Sequence, residues 1–160
     1  EALGAVVVVA SVWYLAIQIR RQTEEASMTA TRELAREFNE IGAALTRDRE
    51  LLRLYRVAIM ALDDLDPDDR LRIGFLFNRT FRCFEQHYLH INRSSVESSY
   101  IESVNSRMRE LFTFPGVRLW WERNREAYEK GFAAYVEVLV KEGKAAGYKS
   151  SFEQSGNETK

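Results

Sequence analysis

The chain is poor in the residues that interrupt helices and in those that carry redox or metal chemistry. Its 160 residues include one cysteine, two prolines, two histidines and eight glycines. A single cysteine, Cys83, excludes an intramolecular disulfide and fits a reducing compartment. Because proline and glycine are scarce while Leu, Arg, Glu and Ala abound, the composition favours an all-α protein over one rich in strands and turns.

An excess of charge of either sign is also missing. The 23 basic and 24 acidic residues leave a formal net charge of −1, so the chain has no overall electrostatic attraction to nucleic acid or anionic lipid. The stretches "FNRTFRCF" and "VRLWWERNREAY" interleave arginine with aromatics, as single-strand nucleic-acid surfaces do. Nearby acidic residues offset that charge, and we therefore predict no nucleic-acid partner.

Formal charge is absent from the 18 residues Ala2–Ile19, which is near the shortest apolar run that crosses a hydrocarbon core of about 30 Å. Four consecutive valines point in every direction around a helix, unlike the one apolar face of a soluble helix. A cleaved signal peptide is disfavoured, because Glu1 precedes the run and Arg20 follows it. The sequence predicts a transmembrane anchor over residues 1–21, which includes Val6, Val9, Trp13, Tyr14, Ile17, Arg20 and Arg21.

The basic residues at the end of this run also predict its orientation. Basic residues directly after a span are retained on the cytoplasmic side, so Arg20 and Arg21 place the rest of the chain in the cytoplasm. No pair of small residues in the run is spaced four apart, so a GxxxG-type dimer motif is absent. Membrane lipid is an expected partner, and a homo-oligomer is left open.

Residues 22–142 are predicted to form a cytoplasmic bundle of about four to five helices, into which the membrane helix continues. Apolar residues at Leu34, Phe38, Ile41 and Leu45 mark one face of the first helix. A second helix is predicted from about Asp48 to Leu62. Residues 143–160 change to glycine, serine and lysine, which predicts a flexible tail.

Turn and cap residues delimit the remaining helices. In "DDLDPDD", Asp66 suits an N-cap and Pro67 the first position of a third helix that runs to about Ile91. Ser94 and Glu97 form a possible capping box for a fourth helix to about Leu111. Pro115 is predicted to open a fifth helix that carries Trp120, Trp121, Tyr128, Phe132, Tyr135, Val136 and Leu139.

The stretch "CFEQHYLH" is the best candidate for a ligand site. Cys83, His87 and His90 are spaced i, i+4 and i+7, so they share one helix face and have side chains that can bind zinc or another transition metal. No recognised metal motif supplies a fourth ligand. The favoured interpretation is a polar edge beside an aromatic stripe, with neither metal nor cofactor bound.

Glu85 lies among aromatics and is predicted to be partly buried, paired with an arginine of the last helix such as Arg123 or Arg125. Such a pair would set helix register, and it could also mark a pocket in which Glu85 acts as an acid or base. Register is the favoured role. The sequence contains no Ser-His-Asp order, glycine-rich phosphate loop or paired inward Glu motif, and we predict that the protein is not an enzyme.

Three stretches resemble a widespread family of bacterial single-pass membrane-anchored α-helical proteins that has no established activity. They are "YLAIQIRRQT", "FRCFEQHYLH", and "FPGVRLWWERNREAY" with "FAAYVEVLV". Gln22 stands where that family favours asparagine, and the glycine after its middle motif is missing here. The resemblance covers about residues 14 to 140 and implies a bacterial inner-membrane protein with a helical cytoplasmic domain.

These features favour a non-catalytic, membrane-tethered interaction module or an accessory subunit of a larger membrane protein complex. The alternative is a membrane-anchored ligand or metal sensor that uses the face of Cys83, His87 and His90.

Overall fold

The computed structural model describes residues 2–91 and 98–145 of the chain. Within these ranges, side chains are described except at 2–11, 23–24, 26–28, 30–31, 34, 98–99 and 145. The described part is helical and contains no strand, which confirms the predicted all-α class. The predicted capping box of Ser94 and Glu97 lies outside the described residues, as does the part of the predicted tail from residue 146 onward. Residues 143–145, which the sequence assigned to that tail, are instead the last residues of a helix.

Six α-helices follow one another along the described chain, with two 3-10 turns between them. The helices are α1 Ala2–Arg47, α2 Arg49–Met60, α3 Pro67–Ile91, α4 Ser98–Leu111, α5 Pro115–Asn124 and α6 Lys130–Ala145. The 3-10 turns are Leu62–Asp64 and Arg125–Ala127. The long first helix is continuous, as predicted, from the uncharged run into the helical body.

Aspartates start two of the helices. The Asp48 carboxylate accepts the backbone N–H of Leu51 at 2.9 Å, which caps α2. The Asp66 carboxylate accepts the N–H groups of Asp68 and Asp69 at 3.0 Å each, directly before α3 opens with Pro67. These bonds satisfy backbone donors that have no partner inside a helix, and the predicted start of the third helix is confirmed.

The predicted fifth helix is wrong in its length, because two helices occupy its place. The first of them, α5, ends at Asn124, and a 3-10 turn leads to Tyr128 in extended conformation before α6 begins at Lys130. The Glu129 carboxylate then accepts the N–H of Phe132 at 2.7 Å, as an N-cap does. The apolar spacing reads as one helix because both helices turn their aromatic residues into the same core.

The body of the protein packs around Phe81 of α3. Its ring lies 4.9 Å from that of Trp121 and 5.3 Å from that of Trp120, both stacked, and 5.6 Å from Phe112 edge-on. Phe81 is 1% exposed. Burial of large rings in offset and edge-on geometry is a major source of core stability, and here it joins α3, α4 and α5.

Among its described side chains, helix α1 contacts this body toward its C-terminal end. Phe38 packs on Phe84 with ring centroids 5.0 Å apart, and Arg79 donates to the carboxylates of Glu37 and Glu40 at 3.0 and 2.8 Å. Every described side chain from residue 12 to 37 is exposed. The described side chains of the N-terminal part of α1 therefore face away from the bundle core.

Helix α5 approaches α2 closely at Gly116. A Cβ placed on Gly116 would lie 1.8 Å from the carbonyl oxygen of Ala58. Both residues are buried, Ala58 completely. The absence of a side chain at Gly116 therefore permits contact between the two backbones.

Candidate functional site

The predicted anchor occupies the first part of α1. Trp13, Tyr14 and Ile17 are 72%, 62% and 39% exposed, and Arg20 and Arg21 are exposed as well. Val6 and Val9 lie outside the residues whose side chains are described.

In the part of the chain that the structure describes, no helix is long and apolar enough to cross a bilayer. The described side chains begin at Val12, so most of the uncharged run Ala2–Ile19 precedes them. The membrane span stays a prediction of the sequence.

Glu85 is the buried charged residue at the centre of the described body. Its side chain is 6% exposed, and both of its oxygens accept hydrogen bonds. Oε2 accepts from Nη1 of Arg82 at 2.7 Å, and Oε1 accepts the backbone N–H of Glu129 at 2.8 Å. Glu85 thus links the middle of α3 to the residue that caps α6.

The contact between Glu85 and Glu129 resembles a capping box divided between two helices. In a capping box, the residue at the third helical position accepts the N–H of the N-cap residue. Phe132 holds that position in α6 and has no acceptor side chain, so Glu85 of α3 supplies the carboxylate instead. The backbone N–H groups of Gly131 and Phe132 lower the pKa of Glu129, because they stabilise its ionised form.

Arg82 completes the arrangement from the solvent side. Its Nη2 donates to the carbonyl of Ala127 at 3.1 Å, and its guanidinium lies 4.5 Å from the centroid of the Tyr128 ring. The Tyr128 hydroxyl donates to Oδ1 of Asn78 at 2.9 Å. Burial raises the pKa of Tyr128 to about 12, so its hydroxyl stays protonated at neutral pH and remains a donor.

The predicted burial of Glu85 agrees with the structure, but its predicted arginine partners do not. Arg123 donates to both carboxylate oxygens of Asp63 at 2.7 and 2.8 Å, and Arg125 donates to Glu137 at 2.8 Å. The partner of Glu85 is Arg82, one turn earlier on the same helix. The physical reason is position: Arg123 lies in α5 beside the 3-10 turn that holds Asp63, and Arg125 lies in the turn after α5, within reach of Glu137 of α6.

In this geometry Glu85 is a hydrogen-bond acceptor that is held in place. Both oxygens are occupied by donors of the protein itself, one of them the backbone N–H of the residue that caps α6. This arrangement supports the register role that the sequence favoured over an acid–base role.

The helix face of Cys83, His87 and His90 is mostly buried, unlike a metal site that is open to solvent. Cys83 is buried and unpaired with another cysteine, and burial raises the pKa of its thiol, which disfavours the thiolate that binds metals. Among the described residues, no group of three Cys, His, Asp or Glu side chains is placed to hold a metal ion.

His87 is the unusual member of this face. It is 1% exposed, and neither of its ring nitrogens has a hydrogen-bond partner. The Tyr100 ring of α4 packs edge-on against it, with centroids 5.3 Å apart. Burial, with a smaller contribution from the charge of His90, lowers the pKa of His87 to about 4. The imidazole is therefore neutral at pH 7, and no described group accepts a hydrogen bond from its ring N–H.

Acidification is expected to destabilise the protein through His87. Well above pH 6.5 neither the folded nor the unfolded chain binds this proton. As the pH falls from 6.5 toward 4, mainly the unfolded chain takes it up, so the free energy of unfolding falls. Between pH 7.5 and pH 5 we expect a loss of about 1–2 kcal/mol. Urea denaturation of wild type at the two pH values, beside His87→Phe, measures it.

The phenylalanine variant keeps a ring at this position and removes the titrating group, so its stability should change much less over the same pH interval. His90→Gln serves as a matched control and should keep most of the wild-type pH dependence. Equal pH dependence in wild type and His87→Phe would contradict the assignment.

Two residues have structural roles that were not predicted from the sequence. Glu129 caps α6, and Gly116 allows α5 to approach α2. For each residue, the sequence contains a feature that indicates this role. Glu129 precedes an apolar run by three residues, as N-cap residues often do, and Gly116 follows a proline at a helix start, where a packing role is an alternative to a turn role.

The chain matches no protein-family model, no curated protein and no solved structure. The resemblance to bacterial single-pass membrane proteins therefore stays a prediction that rests on the three sequence stretches.

Proposed function

We propose that this chain is a non-catalytic, membrane-tethered helical protein of the bacterial inner membrane. In this proposal the bundle lies in the cytoplasm and acts as an interaction module or an accessory subunit of a larger membrane protein complex. One observation carries the tether: α1 is continuous from Ala2 to Arg47, and its described apolar side chains between Val12 and Ile19 are exposed. Exposed side chains of this size are costly in water and favourable in lipid.

The order of residues along α1 supports the same arrangement. The uncharged run ends at Arg20 and Arg21, which favour the cytoplasmic side. Among its described side chains, the helix first reaches the bundle core at Phe38, about 27 Å further along its axis at about 1.5 Å per residue. A stalk of this length would hold the body clear of the lipid headgroups and leave its surface open to a partner.

A charged substitution within the apolar run tests the tether. The double variant Val9→Arg/Trp13→Arg is expected to move most of the protein from the carbonate-resistant membrane fraction to the supernatant, because each arginine opposes insertion by about 3 kcal/mol. Phe75→Arg is the matched control. It replaces a 67% exposed apolar side chain of α3 with arginine outside the apolar run, and it should remain in the membrane fraction.

Two results would contradict the tether. One is wild-type protein that washes off the membrane at high pH. The other is a double variant that stays in the membrane as firmly as Phe75→Arg does.

Crosslinking in native membranes tests the interaction role. A lysine-reactive reagent should join the cytoplasmic body to another membrane protein, which mass spectrometry would identify. Recovery of the chain without any neighbouring protein would argue against an accessory subunit while leaving the tether intact.

A further inference from the structure

The described side chains at the N-terminal end of α1 are mostly apolar, but two polar ones among them contact each other. Between Val12 and Ile19, Gln18 donates from Nε2 to the Tyr14 hydroxyl at 3.0 Å. Both side chains are exposed, Tyr14 to 62%. In the proposed membrane span, these polar groups would lie about 3 and 9 Å before Arg20 along the helix axis, on the lipid side of the charged flank.

The hydrogen bond between Gln18 and Tyr14 does not use all of the donors and acceptors of these two side chains. A glutamine amide has two N–H donors and a carbonyl acceptor, and a tyrosine hydroxyl both donates and accepts. The bond between them uses one amide hydrogen and one lone pair of the hydroxyl. The Gln18 carbonyl and the Tyr14 hydroxyl hydrogen are not used by it. In lipid such groups favour a partner on a neighbouring helix, because no water is present to satisfy them.

The unused groups on one helix are complementary to the same groups on a second copy of the helix. An amide offers both a donor and an acceptor, so two copies of Gln18 related by a two-fold axis can exchange N–H to carbonyl bonds. The face around Gln18 also includes Leu15 and Gln22, spaced three and four residues away, and both are exposed. A partner of different sequence would need a matching polar group at the same depth, whereas a second copy has one by symmetry.

We propose that α1 pairs in the membrane with α1 of a second copy, in parallel, through the face of Leu15 and Gln18, which Gln22 continues just beyond the charged flank. This inference rests on the membrane span of the proposed function. The pairing leaves the cytoplasmic bundles free for the partner complex. It differs from the GxxxG type of dimer, because a buried amide pair rather than close backbone packing would hold the helices together.

Disulfide crosslinking in membranes tests the face. The full chain with Leu15→Cys should form a covalent dimer on mild oxidation, at a level at least about five times that of the matched variant Ala16→Cys, which lies about 100° further around the helix. Wild type controls for the native thiol, Cys83, which is buried in the body. Adding Gln18→Leu to Leu15→Cys should reduce the dimer several-fold, while Gln18→Asn should retain most of it.

The remaining outcomes separate this inference from the proposed function. Equal crosslinking at positions 15 and 16, or no effect of Gln18→Leu, would overturn the dimer face while the protein is still in the membrane fraction. A disulfide from Leu15→Cys to a different membrane protein would replace the second copy by a partner helix and would also overturn it. Loss of wild type from the carbonate-resistant fraction would instead remove the span, and the dimer with it.

Discussion

Replacing Gly116 with alanine is expected to lower the free energy of unfolding by about 3 kcal/mol, since it forces a methyl group into a closed backbone contact. The added Cβ would lie 1.8 Å from the Ala58 carbonyl oxygen and 2.9 Å from its carbonyl carbon. These are backbone atoms inside α2, so no side-chain rotation relieves the overlap. Helix α5 would have to move away from α2, and Trp120 and Trp121 would lose part of their packing on Phe81.

Urea denaturation measures this loss, and Gly42→Ala is the matched control. A Cβ on Gly42 meets nothing within 4 Å, and the residue lies within α1. Alanine has the higher helix propensity, so the control should gain about 0.5–1 kcal/mol. The same substitution is thus expected to act with opposite signs at two sites. Similar unfolding midpoints for the two variants would show that α5 and α2 do not approach as described.

Glu85→Leu is expected to cost about 3 kcal/mol of the free energy of unfolding. The substitution leaves the N–H of Glu129 without an acceptor in a partly buried place and separates Arg82 from its carboxylate. It also removes a negative charge from the start of α6, where the helix dipole favours one. The Gln variant keeps an acceptor for the N–H and should lose less, about 1–2 kcal/mol.

The pair of Glu50 and Arg53 provides the control. Its nitrogen–oxygen distance is 2.7 Å and its spacing is three residues, the same as for Arg82 and Glu85. The Glu50 side chain is 56% exposed, against 6% for Glu85. Exposed ion pairs contribute little because water competes for both charges, so Glu50→Leu should change the unfolding midpoint only slightly. A loss as large as that of Glu85→Leu would mean that burial is not the cause.

Hydrogen exchange can show where the effect of Glu85→Leu arises. The amides at the start of α6, Gly131 and Phe132 among them, should lose protection first, since the divided capping box holds that end of the helix. Uniform loss of protection across the body would indicate general destabilisation instead.

Local features of the chain determined the class of fold and the starts of α2, α3 and α5. The low proline and glycine content predicts helices throughout, and Asp66 with Pro67 predicts where α3 begins. These predictions succeed because a cap and the donors it satisfies lie within four residues of each other, so their geometry hardly depends on the rest of the protein. The burial of Glu85 was predictable for a similar reason, because it stands among aromatics on a helix with a clear core face.

Only the tertiary structure decided which groups Glu85 binds and where the last predicted helix breaks. The chain offers many arginines that are chemically equivalent, and the backbone donor that Glu85 meets lies 44 residues away. The break before α6 depends on that distant carboxylate as well as on Glu129. Likewise, nothing in the neighbourhood of Gly116 along the chain shows that Ala58 will lie against it. Contacts between distant segments are set by how whole helices pack, and the pattern within one helix does not contain that information.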